Sequence, residues 1–585
     1  MTEARYTLIL DGSAQPDREL VGGKAWSLAR MRRLGLNVPP AFVLTTPTCA
    51  AFHAAGNRLP EGAMREVREG IAWIEARTGR RFGGAAAPLL VAVRSGAPVS
   101  MPGMMDTVLN LGINAATERA LATESGSIRF ARDTHRRFCE LFARIVLRAD
   151  VDALAPDAEP DAWHAAIAAC GRGAVPADPE AQLEAAIRAV FESWNSRRAR
   201  KYRQHHGISD AIGTAVTVQA MVFGNTDERS GTGVLFSRNP LTGSRGPYGE
   251  YLARAQGEDV VSGSHTPLPL EALATALPAV HAELLRAANV LEQENGDMQD
   301  IEFTVERGSL FLLQSRAAKR SPAAAVQVAV DMVHEGRIGI DEALARISAE
   351  QVRLLLRPRL AVGVDVERAI VLARGEAASP GVGAGIVVGD ADSAEALHAQ
   401  GRSVILARPT TSPEDLHGML VASAIVTERG GATSHAAVVG RQLGVPCVVG
   451  CGDDTVMRHV GTTVTVDGSG GRIFAGAMPV ERPREDNDPA LREVRKWALP
   501  RSPLRVYRCG ELVPGGLVDL DTLDGGTDAD ALATLLSGAR GAAGSVLDTD
   551  DGVRAAVEAG IEFIVVRDVL PALLAAIAAR STQLA

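Results

Sequence analysis

The stretch Val426 to Gly444, VTERGGATSHAAVVGRQLG, constrains this chain more than any other. An apolar, β-branched run leads into Gly430-Gly431, residues suited to a tight turn or a close backbone approach. Thr433 and Ser434 are N-cap residues by type, and Ala436 to Leu443 propagate a helix. The pattern predicts a strand, a glycine turn and a helix beginning at His435. Free N–H groups in a first helical turn favour a bound phosphoryl group. The positive helix end also disfavours an imidazolium, so His435 is expected to be a neutral nucleophile. Most histidines at helix starts are structural; here the paired glycines favour a phosphoryl acceptor.

Composition narrows the field. A length of 585 residues implies about four domains. With 46% hydrophobic and 22% charged residues, the chain has the make-up of a folded globular protein rather than a disordered one. A net charge of −9 excludes a global basic field for nucleic acid. No apolar run reaches the ~18 residues of a membrane span, and the N-terminus lacks the apolar core of a signal peptide. A cytoplasmic protein without nucleic-acid or membrane partners is expected. Six scattered cysteines do not make a disulfide scaffold, and Cys447-x3-Cys451 has no nearby residues to complete a zinc set.

Periodicity divides the chain further. Strands are expected at Tyr6 to Leu10, Phe42 to Leu44 and Leu89 to Val93, and a helix at Ala25 to Leu34. Residues 113–212 read as a helical insertion. Strands return at Ala215 to Phe223 and Gly233 to Ser237, followed by a hairpin, Ile301 to Val305 and Leu310 to Leu313. Residues 321–375 read as a helical connector and 376–476 as a compact α/β domain. Residues 477–500, rich in Pro and charge, read as an exposed linker. Residues 501–585 read as a short α/β tail.

Three elements of the first part suit phosphate. The loop after Leu89 to Val93 holds Gly96, Pro98, Pro102 and Gly103 and presents backbone N–H groups, with Arg94 as a bidentate partner. Lys24 sits at a Gly-Gly-Lys turn entering a helix. The hairpin MQDIEFTVERGSLFLLQSR places Asp300 and Glu302 on one face by strand alternation. Gln314 and Arg316 alternate on its second strand. Hard oxygen donors beside a phosphate pocket suit Mg²⁺. A solvated polar edge would explain any one of these residues; together they favour a nucleotide site.

The motifs VGGKAWSLARM, VRSGAPVSMPGMMDTVLNLG, FGNTDERSGTGVLFSRNPLTG, YGEYLARAQGEDVVSG, MQDIEFTVERGSLFLLQSR, TSPEDLHGM and TERGGATSHAAVVGRQLGVPCVVGCG resemble those of the pyruvate, phosphate dikinases, within the phosphoenolpyruvate-utilising family. The resemblance spans residues 20 to about 476. It implies a multidomain α/β and α+β fold: an ATP-grasp nucleotide-binding domain over 1–320 with its helical insertion, then a swivelling phosphohistidine domain over 376–476. It implies that ATP and orthophosphate give AMP and pyrophosphate, with the β-phosphoryl group ending on the histidine. On matching motifs, His435 is the carrier. Lys24, Arg94, Gly103 and Arg316 bind ATP phosphates. Glu302 and Gln314 hold Mg²⁺, with Asp300 beside them. Thr433 is the position that a regulatory kinase modifies in some members.

The resemblance also implies a C-terminal (β/α)8 barrel for pyruvate and phosphoenolpyruvate, which needs about 250 residues. Only about 110 follow residue 476, so residues 501–585 are expected to be at most a barrel remnant, with pyruvate served by a separate chain. Two other readings stay open: transfer from His435 to a different acceptor or partner protein, and a non-catalytic ATP-binding regulatory module.

Overall fold

The computed structural model describes residues 5–584 apart from 100, 102–104, 262–265, 357–358, 361–368, 444, 479, 482, 524 and 527. Two antiparallel five-stranded sheets build the first part. The first runs in the order Thr7–Ile9, Ala41–Leu44, Ala215–Ala220, Val91–Gly96, Thr107–Leu111. The second runs in the order Leu268–Pro269, Arg245–Ala253, Gly231–Arg238, Gln299–Glu306, Ser309–Ala317. Between residues 115 and 205 the chain forms five helices, of which Ile128–Ile145 and Pro179–Ser193 bury Phe138, Phe142, Ile187 and Phe191 against the first sheet. The helix Pro278–Asn295 and the helix Arg18–Arg33 cover the second sheet through Leu28, Met31, Leu284 and Leu291.

The eight-stranded third sheet carries His435. Its centre is parallel, Val382–Val388, Val404–Arg408, Ala424–Thr427 and Cys447–Val449 in neighbouring order. Such strands are buried on both faces, hence the Val- and Ile-rich runs. The sheet begins at Val371–Arg374, ahead of the expected start at residue 376.

One expectation about the C-terminal part is corrected. Residues 477–500 are not simply an exposed linker. Pro489–Ala498 is a helix capped by Asp488, and its apolar face buries Val494 and Trp497, the latter 6% exposed. Leu491 and Trp497 share one core with Met332, Leu344 and Val352 of the helices Pro322–His334, Ile340–Arg346 and Ala349–Leu355. The same core takes in Leu547, Ile564 and Leu573 of the tail. The connector, the supposed linker and the tail thus pack as one unit.

The tail itself is a parallel four-stranded sheet ordered Arg505–Arg508, Phe563–Val566, Gly541–Ala543, Leu517–Asp519. Its first strand lies beside its last. The other three follow chain order, Leu517–Asp519 beside Gly541–Ala543 beside Phe563–Val566, as consecutive strands of a (β/α)8 barrel do.

A buried Trp497 predicts that Trp497→Ala lowers the stability of this unit by about 3–5 kcal/mol in urea unfolding. A change within about 0.5 kcal/mol, as for a surface position, would restore the exposed-linker reading.

Candidate functional site

The register of the second sheet sets out the site. Gln314 lies opposite Glu302, Glu302 opposite Val234, and Val234 opposite Glu250. Two residues along, Arg316 lies opposite Asp300, Asp300 opposite Phe236, and Phe236 opposite Tyr248. Directly opposed residues, and residues two apart on a strand, share a face. One sheet face therefore carries two four-residue rows, with phosphate and metal candidates at one end and Glu250 and Tyr248 at the other.

The first end opens into a cavity of about 760 Å³ between the two sheets. Lys24, Arg94, Glu302, Gln314 and Arg316 all line it, so five expected residues from distant parts of the chain meet there. Arg94 lies inside the strand Val91–Gly96 rather than in the loop after it. Its Nη2 is 3.3 Å from Glu302 Oε2 and its Nη1 3.3 Å from Gln219 Oε1. Between Glu302 and Phe303 the hairpin register slips, leaving Leu313 unpaired, and the Leu313 carbonyl accepts from Arg94 at 3.5 Å. Bulges commonly re-aim groups beside functional sites.

Lys24 is placed by a break in its helix. The helix Arg18–Arg33 is capped by Asp17 and interrupted at Gly22, whose φ is +75°. A Cβ there would lie 1.8 Å from the Gly96 carbonyl oxygen, so only glycine lets the two loops meet. The helix begins earlier than the expected Ala25, and Lys24 sits just past the break. Burial lowers the Lys24 ammonium from 10.5 to about 7; Arg94 and Arg316 push the same way and Glu302 opposes them.

Asp300 departs from its expected place. It does not line the cavity; it is buried and its Oδ2 accepts from Arg316 Nε at 2.8 Å. Burial pushes its carboxyl up, and Arg316 pulls the other way. Its geometry fits positioning of Arg316. Glu302 and Gln314, opposed across the hairpin and facing the cavity, are the hard oxygen donors that fit Mg²⁺ alongside phosphate oxygens. Gly103 lies outside the described residues; its neighbours Met101 and Met105 line the cavity.

His435 opens the helix His435–Leu443, as its sequence predicts, but does not itself line the cavity. Its Nδ1 is 3.3 Å from Thr411 Oγ1. With the proton on Nδ1 donated to Thr411, Nε2 carries the free lone pair. Burial lowers the His435 pKa below its usual 6.5, opposed by Asp415, which keeps the ring neutral. The adjacent Ser434 hydroxyl is buried and has no hydrogen-bond partner among the described residues.

The third sheet is docked on the second. Thr433 Oγ1 donates to Glu250 Oε2 at 2.6 Å, and the Ala432 N–H donates to Glu250 Oε1 at 3.1 Å and to Glu376 Oε2 at 3.0 Å. Tyr248 OH donates to Glu376 Oε1 at 2.7 Å, and the Arg441 guanidinium lies over the Phe236 ring. Thr433 thus bonds across the interface rather than capping its own helix. A Cβ on Gly431 would lie 2.5 Å from Glu250 Oε1; the approach that this glycine permits is by a carboxylate. Nearby, Leu416 packs against a cluster of Met101, Trp194, Ala199 and Tyr202 at the cavity side. His417 pairs with Asp392 at the surface.

Glu250, Gln219 and Thr411 had no assigned role from sequence. The alternation Tyr248-Gly-Glu250 within a quoted motif, and a lone glutamine in the apolar run Ala215 to Phe223, are the signals that would have singled out the first two.

A cation-lined cavity is thus joined through one sheet face to a docked, histidine-bearing α/β domain. The pyruvate phosphate dikinase AMP/ATP-binding domain matches residues 57–282, and the mobile domain of PEP-utilising enzymes matches residues 401–471. Pyruvate, phosphate dikinase of Rhizobium meliloti (strain 1021) is 42% identical over 534 residues, 83% of this chain and 59% of that protein. Pyruvate, phosphate dikinase 2 of Zea mays is 43% identical over 80% of this chain and 57% of its own length. The Clostridium symbiosum enzyme is 41% identical over 79% and 57%. The chain therefore belongs to the pyruvate, phosphate dikinase family and spans somewhat more than half the length of these relatives.

A Lys24 near 7 has a consequence for ligand binding. An anion beside it favours the ammonium form, so ATP binding at about pH 8.5 should take up close to one proton. Calorimetry in buffers of different ionisation heat should show that uptake in the wild type and its loss in Lys24→Met.

Proposed function

We propose that this chain is a phosphotransferase that carries out the nucleotide half of pyruvate, phosphate dikinase chemistry on His435. Supporting it most is one observation: the His435 domain docks on the same sheet face that presents Glu302, Gln314 and Arg316 to the cavity. On this reading residues 1–320 form an ATP-grasp nucleotide domain and 376–476 a swivelling phosphohistidine domain.

The bond changes follow from the products. For AMP to leave and the β-phosphoryl group to end on histidine, His435 Nε2 attacks the β-phosphorus and the α–β bridging oxygen departs with AMP. Orthophosphate then takes the terminal phosphoryl group, giving pyrophosphate and leaving one phosphoryl group on Nε2. Lys24, Arg94 and Arg316 hold the phosphates, and the charge spread over the transferring group is met by these fixed cations. Glu302 and Gln314 would hold Mg²⁺, which would supply positive charge against the phosphates. Ser434 Oγ, without a partner among the described residues, and the N-terminal turn of the helix His435–Leu443 would receive the phosphoryl group on the carrier.

The final acceptor is proposed to be pyruvate, giving phosphoenolpyruvate on a barrel not formed by the described residues, on this or a separate chain. Reaching it requires the phosphohistidine domain to leave its dock. A regulatory kinase acting at Thr433 would place two negative charges against Glu250 and Glu376, and that repulsion would block docking.

Intact mass after incubation with ATP, Mg²⁺ and orthophosphate tests the half-reaction. An acid-labile gain of one phosphoryl group in the wild type, absent from His435→Ala, is expected. Equal labelling of both proteins would defeat the assignment. ATP binding with no phosphoenzyme would favour the regulatory-module reading.

A further inference from the structure

The helical region carries a second cluster of chemistry that phosphoryl transfer does not use. His135 and Cys139 lie four residues apart on the helix Ile128–Ile145, and therefore on one face. His164 faces them from the helix Pro160–Ala169, its ring centroid 5.7 Å from that of His135. One ligand atom from each of the three lies within 4.8 Å of the others. His135 and Cys139 are buried and His164 is half-buried.

We propose that His135, Cys139 and His164 form a site for a soft-to-borderline divalent cation of the zinc class. The donor set is two imidazoles and a thiol, which selects such ions over Mg²⁺ or Ca²⁺. His135 is already oriented for the task. Its Nδ1 is 2.6 Å from Glu118 Oε2, and Glu118 is itself buried and held by Arg132 Nε at 3.1 Å. With Nδ1 bound to a carboxylate, Nε2 is left to ligate, the arrangement by which carboxylates fix metal-binding histidines. Neither the Cys139 thiol nor the His164 ring has a hydrogen-bond partner among the described residues. In a tetrahedral zinc site, neighbouring ligand atoms lie about 3.3–3.6 Å apart. Small rotamer adjustments suffice to close the cluster. Cys139 releases its thiol proton to solvent on binding, and the half-buried His164 side leaves the fourth position to water.

Such an ion would staple the short helix Pro160–Ala169 to the long one. The effect reaches the nucleotide cavity by a traceable path. Two residues beyond His135, Arg137 Nη1 is 2.8 Å from Asp259 Oδ1, and Asp259 Oδ2 accepts from the Gln256 N–H at 2.9 Å. Gln256, Gly257 and Glu258 line the cavity.

The test uses the full chain, tag-free and stripped of metal with a chelator. Titration with Zn²⁺ against a chromogenic chelator should show one tight equivalent. It should weaken about 10- to 100-fold in Glu118→Gln and at least as much in His164→Ala, whose half-buried position spares the core. Co²⁺ should give near-ultraviolet thiolate-to-metal absorption in the wild type and in Cys170→Ser, but none in the isosteric Cys139→Ser. Zn²⁺ should raise the melting temperature of the wild type and not of His164→Ala. Absence of a tight equivalent overturns the proposal, as does wild-type zinc affinity in both His164→Ala and Cys139→Ser.

Discussion

The link between the candidate cavity and the histidine domain depends on the strand register of the second sheet. A slip of one residue in any of its central strands would turn Glu302, Val234 or Glu250 to the opposite face. In the observed register, Gln314, Glu302, Val234 and Glu250 form one continuous row. Three strand spacings separate its ends, roughly 14 Å. Over that distance the sheet passes from groups that suit nucleotide phosphates to a carboxylate that holds the histidine domain. The bulge at Leu313 adjusts the hairpin locally without disturbing the opposition of Glu302 and Gln314.

The two ends of the row differ in their electrostatics. At the cavity end, three cationic side chains crowd together, and the crowding is relieved by Glu302 and, behind it, Asp300. Such a site is short of negative charge and gains most when a polyanion enters. At the docking end the carboxylates Glu250 and Glu376 converge on one backbone N–H and one hydroxyl. Burial pushes Glu250 up, as does Glu376, while the Thr433 and Ala432 hydrogen bonds hold it down. The Glu250 carboxylate therefore meets the other domain through the Thr433 hydroxyl and the Ala432 N–H.

The placement of candidate residues was legible in the sequence where one residue type had few alternative uses. Paired glycines, N-capping residues and a histidine at a helix start located His435, and hairpin alternation located Glu302, Gln314 and Arg316. What it missed was set by partners distant in the chain. Asp300 shares its face with Glu302, yet its pairing with Arg316 takes it out of the cavity. Thr433 looks like a cap until Glu250, 183 residues away, is brought beside it. The Pro- and charge-rich segment around Glu485 reads as solvent-exposed, but the helix at its end carries Leu491, Val494 and Trp497 at the spacing that buries one face. Local composition outweighed periodicity in that reading, and tertiary packing reversed it.

In the proposed reaction, docking through the far end of the row delivers His435 to nucleotide bound at the near end. Glu250→Lys separates the two, since residue 250 lies outside the cavity lining. The measurement is ATP affinity and the rate of acid-labile phosphoryl transfer to His435 in this variant and the wild type. Affinity is expected to stay within about twofold and the transfer rate to fall about tenfold or more, through the loss of two charge-assisted hydrogen bonds. Transfer at the wild-type rate, or affinity and transfer falling together, would contradict it.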